Sequence, residues 1–269
     1  GTEAHTCGHD FHAAMLLTAA RLLKENEANL DGTVKFMFQP AEETFEGANN
    51  MIENGILENP VPDAALAFHV AAGRMPLGVY MYNSTGTMMF SANSFQITVS
   101  GKGSHGAYPH FGTDPINIAV HIYLGLEALI AREMDPAKAN VLTIGSFHAG
   151  SANIIPETSI LEGTIRSNDI ESHKLLINRL KEIAIATATA YGGSVQIDMA
   201  AGVPPLVCDP ALTNEFADCI KEMNIPGAIP YSGITANASE DFACIAQRIP
   251  STFMYLSAGD GSTEVLDIG

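Results

Sequence analysis

The sequence is poor in basic residues and in charge as a whole, and both shortages exclude classes of protein. Only 13 Lys and Arg stand against 30 Asp and Glu, which gives the 269 residues a formal net charge of −17. This balance argues against nucleic-acid binding, which needs clustered cations, and against attachment to an anionic membrane. Charged residues amount to 16% and apolar residues to 46%, so we expect a folded chain with a sizeable core.

Cysteine and long apolar runs are also scarce. The four cysteines are too few for the dense disulfide framework of a small secreted domain. No apolar run is long enough to span a bilayer, and no signal-peptide pattern opens the chain, so the sequence predicts a cytoplasmic protein. The chain begins at Gly1, beside a histidine-rich segment, and ends just after a polar loop, so we expect a fragment of a longer protein.

Apolar periodicity at the two ends of the chain predicts an α/β domain with a mostly parallel sheet. Spacing of about 3.6 residues predicts helices over residues 12–26, 47–54, 212–222 and 240–247, the first with Asp10 as N-cap. Short β-rich runs predict strands over residues 33–39, 63–70 and 252–256. Alternating helices and strands are typical of a parallel sheet, so residues 1–89 and 200–269 are predicted to form this domain.

Residues 90–199 predict a different architecture. Strands are expected over residues 94–100, 140–148, 160–167 and 194–199, and helices over 114–132 and 172–191. The resulting order β-α-β-β-α-β is that of a ferredoxin-like α+β domain. We therefore predict that this domain is inserted into the α/β domain.

The segment HTCGHDFH, residues 5–12, is a candidate metal site. Cys7 and His9 are two residues apart, so in an extended loop both side chains can point in one direction. Thiolate and imidazole are normal ligands of zinc-like ions, and Asp10 or Asp63 is a candidate to orient a ligating imidazole. The alternative is a histidine-rich surface loop.

Two further candidate positions lie at the ends of predicted strands, where open α/β sheets bind their ligands. Glu42 and Glu43 follow one strand, and His69 lies near the end of another. Adjacent carboxylates project differently, so one can bind metal while the other acts as general base. Taken singly, such a glutamate pair suits a solvated turn, and such a histidine suits a core. Together with Cys7 and His9, these residues could surround two ions.

The segments HTCGHDFHAAMLL, QPAEE and AFHV resemble motifs of the M20 metallopeptidase family, above all its amidohydrolase branch. That branch includes hippurate hydrolases, indole-acetyl-amino-acid hydrolases and N-acetyldiaminopimelate deacetylases. The segments GKGSHGAYPHFGTDPI, SANIIPETSILEGTIRS and SEDF fit the same family, in the same order along nearly the whole chain. The resemblance implies a metal-dependent amidohydrolase that converts a small-molecule N-acyl amino acid to an amino acid and a carboxylic acid.

The resemblance also implies a metal site and a general base. Cys7 would be shared between two divalent ions, with His9, Glu43 and His69 as the other ligands. The ions would be Mn²⁺ or Zn²⁺, while Co²⁺ and Ni²⁺ also suit these donors. Glu42 would be the general base. Family members carry a further ligand histidine beyond the position where this chain ends, so we expect the fragment to bind metal weakly.

Three residues of the predicted inserted domain are assigned by the same resemblance. His105 would stabilise the developing oxyanion, often in the site of the partner subunit of a homodimer formed through this domain. Asn153 and Arg166 match positions that hold the substrate carboxylate. Without the resemblance, a loop histidine, a turn-forming asparagine and a strand-surface arginine explain these residues equally well.

Other functions stay open at this stage. The same scaffold would suit a metal-dependent dipeptidase or carboxypeptidase, and a panel of N-acyl and peptide substrates separates these from an amidohydrolase. A non-catalytic metal-binding protein that dimerises through the inserted domain is a third interpretation. A plain α/β domain without metal is the fourth, and stoichiometric metal in the purified protein would exclude it.

Overall fold

The computed structural model describes residues 7–73 and 75–259, and the chain divides into two compact units. The first unit comprises Gly1–Met88, Leu206–Ala236 and Asp241–Gly269, and the second comprises Met89–Pro205 and Asn237–Glu240. None of the helices within the described ranges is both long and apolar enough to cross a lipid bilayer. All four cysteines lie in these ranges, and they are thiols rather than disulfides.

The first unit opens with two helices, a 3₁₀ turn and three strands, of which the two helices and the first strand agree with the predicted order. These elements are α1 (His9–Glu25), a 3₁₀ turn over Glu42–Thr44, α2 (Gly47–Glu53), β1 (Ala65–Ala71), β2 (Val79–Tyr82) and β3 (Thr87–Met89). The prediction of Asp10 as the N-cap of α1 was wrong. The left-handed backbone of Gly8, with φ 80°, starts the helix earlier, and Asp10 lies in its first turn, where a negative charge favours the helix dipole.

The second unit has the predicted β-α-β-β-α-β order, with one extra two-residue strand. Its elements are β4 (Ala92–Ser100), β5 (Ser104–His105), α3 (Pro115–Arg132), β6 (Asn140–Ser151), β7 (Ile154–Ser167), α4 (Ile170–Ala190) and β8 (Ser194–Val203). Both helices start at aspartates that cap free backbone amides. Asp114 accepts a hydrogen bond from the amide of Ile116, and Asp169 accepts one from that of Ser172.

The sheet of the second unit is antiparallel, and its helices bury one face. β4 pairs with β7 and β8, and β7 pairs also with β6 and, at its start, with β5. The core combines sheet and helix side chains that are fully buried, among them Ile97, Ile122, Leu161 and Leu180. This arrangement is the ferredoxin-like fold that the sequence predicts.

The chain then completes the first unit with β9 (Leu206–Val207), α5 (Pro210–Glu222), β10 (Ile229–Ser232), α6 (Ala243–Ala246) and β11 (Ser251–Ser257). Four strands form a mixed sheet in the order β1-β11-β2-β10. The pairs β1–β11 and β2–β10 are parallel, whereas β11 and β2 are antiparallel. The predicted α/β sheet is therefore confirmed, with two parallel pairs of strands.

The two faces of this mixed sheet have different neighbours. One face packs on α5, where Tyr80 and Met254 contact Ala217. Side chains alternate between the faces of a strand, so the residues next to these two point to the opposite face. That face carries His69, Tyr255 and Met81, which lie in register across β1, β11 and β2.

Two predicted elements differ in the structure. Residues 33–39 are not a strand, because they pair with no other strand among the described residues, and a strand needs such a neighbour to satisfy its backbone. Lys35 in this segment instead donates from Nζ to the carbonyl oxygens of Ile56 and Pro60, at 2.8 and 3.0 Å. The helix predicted over 240–247 is confined to Ala243–Ala246, since the amide of Cys244 closes a turn with the carbonyl of Asp241 instead.

Candidate metal centre

Gly8 places Cys7 and His9 beside the end of β1. A Cβ atom at this position would lie 2.6 Å from Cγ2 of Val70, and φ is +80°, a region that side chains rarely adopt. Glycine therefore lets the start of α1 approach β1 closely. The thiol and the imidazole on either side of Gly8 are both half-buried at this junction. His5, in the same histidine-rich segment, lies outside the described residues.

His69 on β1 points a ring nitrogen toward Cys7. Its Nδ1 lies 2.6 Å from the carbonyl oxygen of Val70, and a carbonyl can only accept, so Nδ1 carries the proton. Burial lowers the pKa of His69, which keeps the ring neutral near pH 7. Nε2 then carries no proton, so its lone pair can bind a metal ion, and it lies 3.6 Å from Sγ of Cys7. A histidine held in this way by a backbone carbonyl is typical of a metal ligand.

His12 supports this arrangement but has its Nε2 already occupied. The amide of Val70 donates to Nε2 of His12 at 3.0 Å, and the His12 ring centroid lies 4.2 Å from that of His69. Burial, together with His69 and His9, lowers the pKa of His12 to about 4. No separate role for His12 was predicted from the sequence. Its spacing of three residues from His9 on α1, which places both on one helix face, could have revealed it.

Glu42 and Glu43 lie in a strained turn that faces His9. Ala41 and Phe45, which flank the 3₁₀ turn, have φ of 53° and 59°, an unusual conformation for residues other than glycine. Nε2 of His9 lies 3.7 Å from Oε2 of Glu42 and 3.6 Å from Oε1 of Glu43. Strained backbone is often retained where it positions functional side chains.

The buried carboxylate of Asp241 binds the chain on both sides of this turn. Asp241 accepts hydrogen bonds from the side chain of Gln39 and, at 2.9 Å, from the amide of Ala48 in the first turn of α2. Gly47 allows the start of α2 to lie close to Pro40, because a Cβ atom there would be 1.6 Å from the carbonyl oxygen of Pro40. The SEDF motif contains Asp241, but the partner Ala48 is 193 residues away, so the motif did not reveal this contact.

Glu42 is the more protected of the two glutamates. Burial, with smaller contributions from Glu43 and Asp241, raises the pKa of Glu42 to about 7. Its side chain is 19% exposed, against 56% for Glu43. A carboxyl group with this pKa exchanges protons readily near neutral pH, which suits a general acid–base, although a cation bound beside it would lower the pKa again.

Two overlapping groups of donors meet at His9. In one group, donor atoms of Cys7, His9 and His69 all lie within 4.8 Å of one another, and in the other, those of His9, Glu42 and Glu43 do. The structure thus brings together all the predicted metal ligands and the predicted general base. A thiolate, two imidazoles and carboxylates match the ligand chemistry of zinc and similar divalent ions, so the residues present fit a metal centre.

His105 and Asn153 lie together at one end of the second unit. His105, on β5, pairs with Ile154 at the start of β7, and the amide of Gly106 donates to the carbonyl oxygen of Asn153 at 2.9 Å. The side chain of His105 is exposed, and its Nδ1 accepts a hydrogen bond from the amide of Ala107 at 3.1 Å. These two residues are neighbours although 48 positions separate them in the sequence.

Arg166 lies at the other end of β7. It follows Ile154, the neighbour of Asn153, by 12 positions along β7, a separation of roughly 40 Å at about 3.3 Å per residue. Its guanidinium group donates to Oγ of Ser239 at 3.0 Å and to the carbonyl oxygen of Asn237 at 3.3 Å. Within one chain, the structure therefore does not bring Arg166 to Asn153.

The α/β fold and the two overlapping donor groups are typical of a metal-dependent enzyme. The chain belongs to Peptidase family M20/M25/M40, whose profile matches residues 2–265. It is 35% identical over 256 residues to N-acetyl-L-cysteine deacetylase of Bacillus subtilis, covering 93% of this chain and 59% of that protein. It is 36% identical to an IAA-amino acid hydrolase of Arabidopsis thaliana, covering 94% of this chain and 58% of that protein.

A solved structure agrees with these sequence relatives. A Bacillus subtilis protein, described as a dinuclear metal binding peptidase from the M20 family, superposes with a TM-score of 0.75 and 29% identity. The match covers 97% of this chain and 65% of that protein. The chain thus spans 58 to 64% of the length of the first curated relatives that it matches.

Proposed function

We propose that the chain carries the metal centre of an amidohydrolase that cleaves N-acyl amino acids to a free amino acid and a carboxylic acid. The observation that carries the proposal is the convergence of Cys7, His9, His69, Glu42 and Glu43 in the first unit. The names of two relatives, a deacetylase of an N-acetyl amino acid and a hydrolase of IAA-amino acid conjugates, support this substrate class.

Cys7, His9, Glu43 and His69 are proposed to hold two divalent ions, with Cys7 shared between them. The proposed ions are Mn²⁺ or Zn²⁺, and these donors would also accept Co²⁺ or Ni²⁺. The neutral imidazole of His69, protonated on Nδ1 and unprotonated on Nε2, is already in the ligating form. When bound, the ions polarise the amide carbonyl and make water in the site more acidic.

Glu42 is proposed to be the general base. It accepts a proton from the attacking water and later gives this proton to the nitrogen of the leaving amine. Its partial burial keeps bulk water away from the carboxyl group, and the turn between Ala41 and Phe45 fixes its direction. Glu43, which is more exposed and close to His9, remains available as a ligand.

The second unit is proposed to contribute His105, Asn153 and Arg166 to the substrate and to form a homodimer. His105 would stabilise the oxyanion that forms on the amide oxygen, while Asn153 and Arg166 would hold the substrate carboxylate. Residues roughly 40 Å apart on one strand cannot contact one small carboxylate. A shared role for Asn153 and Arg166 therefore requires two subunits, which supports the homodimer.

A substrate panel tests the proposed function. The protein in its full-length form, loaded with Mn²⁺ or Zn²⁺, is given N-acetyl and N-benzoyl amino acids alongside dipeptides, and its metal content is measured in the same preparation. We expect turnover of the N-acyl amino acids at least tenfold above that of the peptides. Faster turnover of peptides would favour a peptidase, and bound metal without any turnover would favour a non-catalytic protein.

A further inference from the structure

An apolar cavity continues the row of side chains that begins at His69. His69, Tyr255 and Met81 are in register on neighbouring strands of the mixed sheet, and the rings of His69 and Tyr255 are 5.5 Å apart. Tyr255 and Met81 line a cavity of about 250 Å³ at the carboxyl ends of β1 and β11. Within the first unit, the cavity therefore begins at Tyr255 on β11, the strand next to the one that carries the proposed metal ligand His69.

The described walls of the cavity are apolar and uncharged; Arg74, between the lining residues Gly73 and Met75, lies outside the described residues. They consist mainly of Ala71, Met75, Met81, Ile234, Ala236 and Tyr255, and the other described lining residues are also uncharged. Three small residues in sequence, Ala71 to Gly73, form part of the lining, and two methionines supply side chains that adapt to different shapes. Such a surface suits an apolar group, whereas a carboxylate would lose its hydration there without a cation to replace it.

The polar groups at the floor of the cavity are already paired. The hydroxyl of Ser257 donates to the carbonyl oxygen of Met75 at 2.6 Å and accepts from the amide of Gly259 at 3.3 Å. The amide of Ala258 donates to the carbonyl oxygen of Ala71 at 2.9 Å. An apolar group that displaces water from this floor would therefore break none of these hydrogen bonds.

The wall formed by Ile234 and Ala236 is fixed in position. Buried Asn83 donates from its side-chain amide to the carbonyl oxygen of Ile234 at 2.9 Å, and the amide of Ala236 donates to the carbonyl oxygen of Met88 at 2.8 Å. Thr235, between them, donates from its hydroxyl to the carbonyl oxygen of Thr87 at 2.8 Å. This wall is thus formed before any ligand enters, which reduces the cost of binding.

We infer that this cavity receives the apolar part of the substrate's acyl group and so sets the acyl preference. The inference rests on the proposed function, since it assumes that the scissile amide lies at the metal centre beside His69. The amino-acid product carries a charged carboxylate, so the described walls, which carry no charge, suit the acyl side of the amide better. The ligand class is therefore an acyl chain of several carbons or a small aromatic acyl group, rather than acetyl alone.

An acyl series tests the inference. The metal-loaded, full-length protein is assayed with N-acetyl-, N-butanoyl-, N-hexanoyl- and N-octanoylglycine. Each methylene group buried in the cavity should raise kcat/KM about fourfold until the cavity is filled. The carboxylic acid products give a second readout, because calorimetry should show hexanoate binding at least tenfold more tightly than acetate.

Variants of two cavity residues and one control residue test whether the cavity sets the acyl preference. Ala236→Leu fills part of the cavity and should lower kcat/KM for N-hexanoylglycine about tenfold or more, with N-acetylglycine changed less than about twofold. Ala211→Leu, at an exposed position on α5 beyond the opposite face of the sheet, is the matched control and should change neither substrate. Met81→Ala enlarges the cavity and should move the optimum to longer chains, which keeps the test decisive if Ala236→Leu does not fold.

Two results would overturn the inference. One is an acyl-length profile that Ala236→Leu, Met81→Ala and Ala211→Leu leave equally unchanged, and the other is hexanoate that binds no more tightly than acetate. Failure of the proposed function has a different signature. In that case no N-acyl amino acid is hydrolysed, while the calorimetry of hexanoate with the variants still decides whether the cavity binds acyl chains.

Discussion

Sγ of Cys7 lies 3.6 Å from Nε2 of His69, although 62 positions separate the two residues in the sequence. The contact depends on two local features. Gly8 lets the start of α1 approach Val70, and the carbonyl of Val70 fixes the proton of His69 on Nδ1. A thiol and an unprotonated ring nitrogen are thereby held together before any ion arrives.

Removal of the thiol should remove metal. In Cys7→Ala the proposed shared ligand is absent, so we expect the bound metal to fall from about two ions per chain to one or fewer. Inductively coupled plasma mass spectrometry of the purified protein measures this. Cys219→Ala, at an exposed thiol on α5, is the control. A full metal content in Cys7→Ala would remove Cys7 from the ligand set.

The two neighbouring glutamates should separate catalysis from metal binding. Glu42→Gln should keep its metal but lose about 10²–10⁴-fold in kcat, because a carboxamide cannot accept the proton. Glu43→Gln should lose metal first. Both variants are compared by metal analysis and by initial rates at saturating metal. Near-normal kcat in Glu42→Gln would show that the base is another group.

Gly8→Ala should disturb both the fold and the centre. The added methyl would lie 2.6 Å from Cγ2 of Val70, and the alanine would have to adopt φ near +80°. We therefore expect the free energy of unfolding to fall by about 2 kcal/mol or more and metal binding to weaken. Chemical denaturation and metal titration measure the two effects. Gly145→Ala, where a Cβ atom has open space around it, should change stability by less than about 0.5 kcal/mol. Equal behaviour of the two variants would contradict this role of Gly8.

His12 is expected to act on metal affinity through the backbone. In His12→Ala the amide of Val70 loses its acceptor and the ring of His69 loses a neighbour at 4.2 Å. Loss of such supporting contacts typically weakens metal binding by about 10–100-fold. Competition with a chelator measures the affinity, and the circular dichroism spectrum serves as the control for folding. Unchanged affinity would leave His12 with a packing role only.

The stability of the second unit should depend on pH through His173. This side chain is buried and lies 2.6 Å from Oδ1 of Asn93, and burial, with a contribution from Lys174, lowers its pKa. A histidine with a lowered pKa in the folded state is fully stabilising above its unfolded pKa of about 6.5, and this stability is lost as the pH falls toward the folded value. The unfolding free energy should therefore decrease below pH 6.5, by at most about 1.4 kcal/mol per pH unit for this group.

His173→Gln keeps a side-chain donor for Asn93 but cannot titrate. Denaturation by urea between pH 7.5 and 5.5 should show a smaller decrease in unfolding free energy for His173→Gln than for the unchanged chain. His121→Gln, at an exposed position on α3, is the control and should follow the unchanged chain. An identical pH dependence in all three proteins would contradict the role of His173.

Local signals in the sequence predicted the second unit well. Apolar periodicity placed the starts of α3 and α4 within two residues of their positions in the structure, where Asp114 and Asp169 cap the two helices. Features that depend on distant partners could not be predicted in this way. Residues 33–39 have the composition of a strand but no pairing partner among the described residues, and the short strands β2 and β10 carry too few residues for a clear alternation.

The candidate site shows the same division between local and distant signals. Short motifs and a family resemblance singled out Cys7, His9, Glu42, Glu43 and His69, which the structure brings together. The supporting residues were different. The acceptor role of His12 and the anchoring role of Asp241 depend on contacts with residues 58 and 193 positions away, so the motifs that contain the two residues did not reveal these contacts.

The central claim is that Cys7, His9, Glu43 and His69 hold two divalent ions beside Glu42. The most direct measurement is anomalous X-ray scattering from crystals of the full-length protein grown with Mn²⁺ or Zn²⁺. We predict two anomalous peaks about 3.5–4 Å apart, with the thiolate of Cys7 between them and the other three side chains as ligands. A single peak, or peaks at positions that these four residues do not contact, would contradict the account.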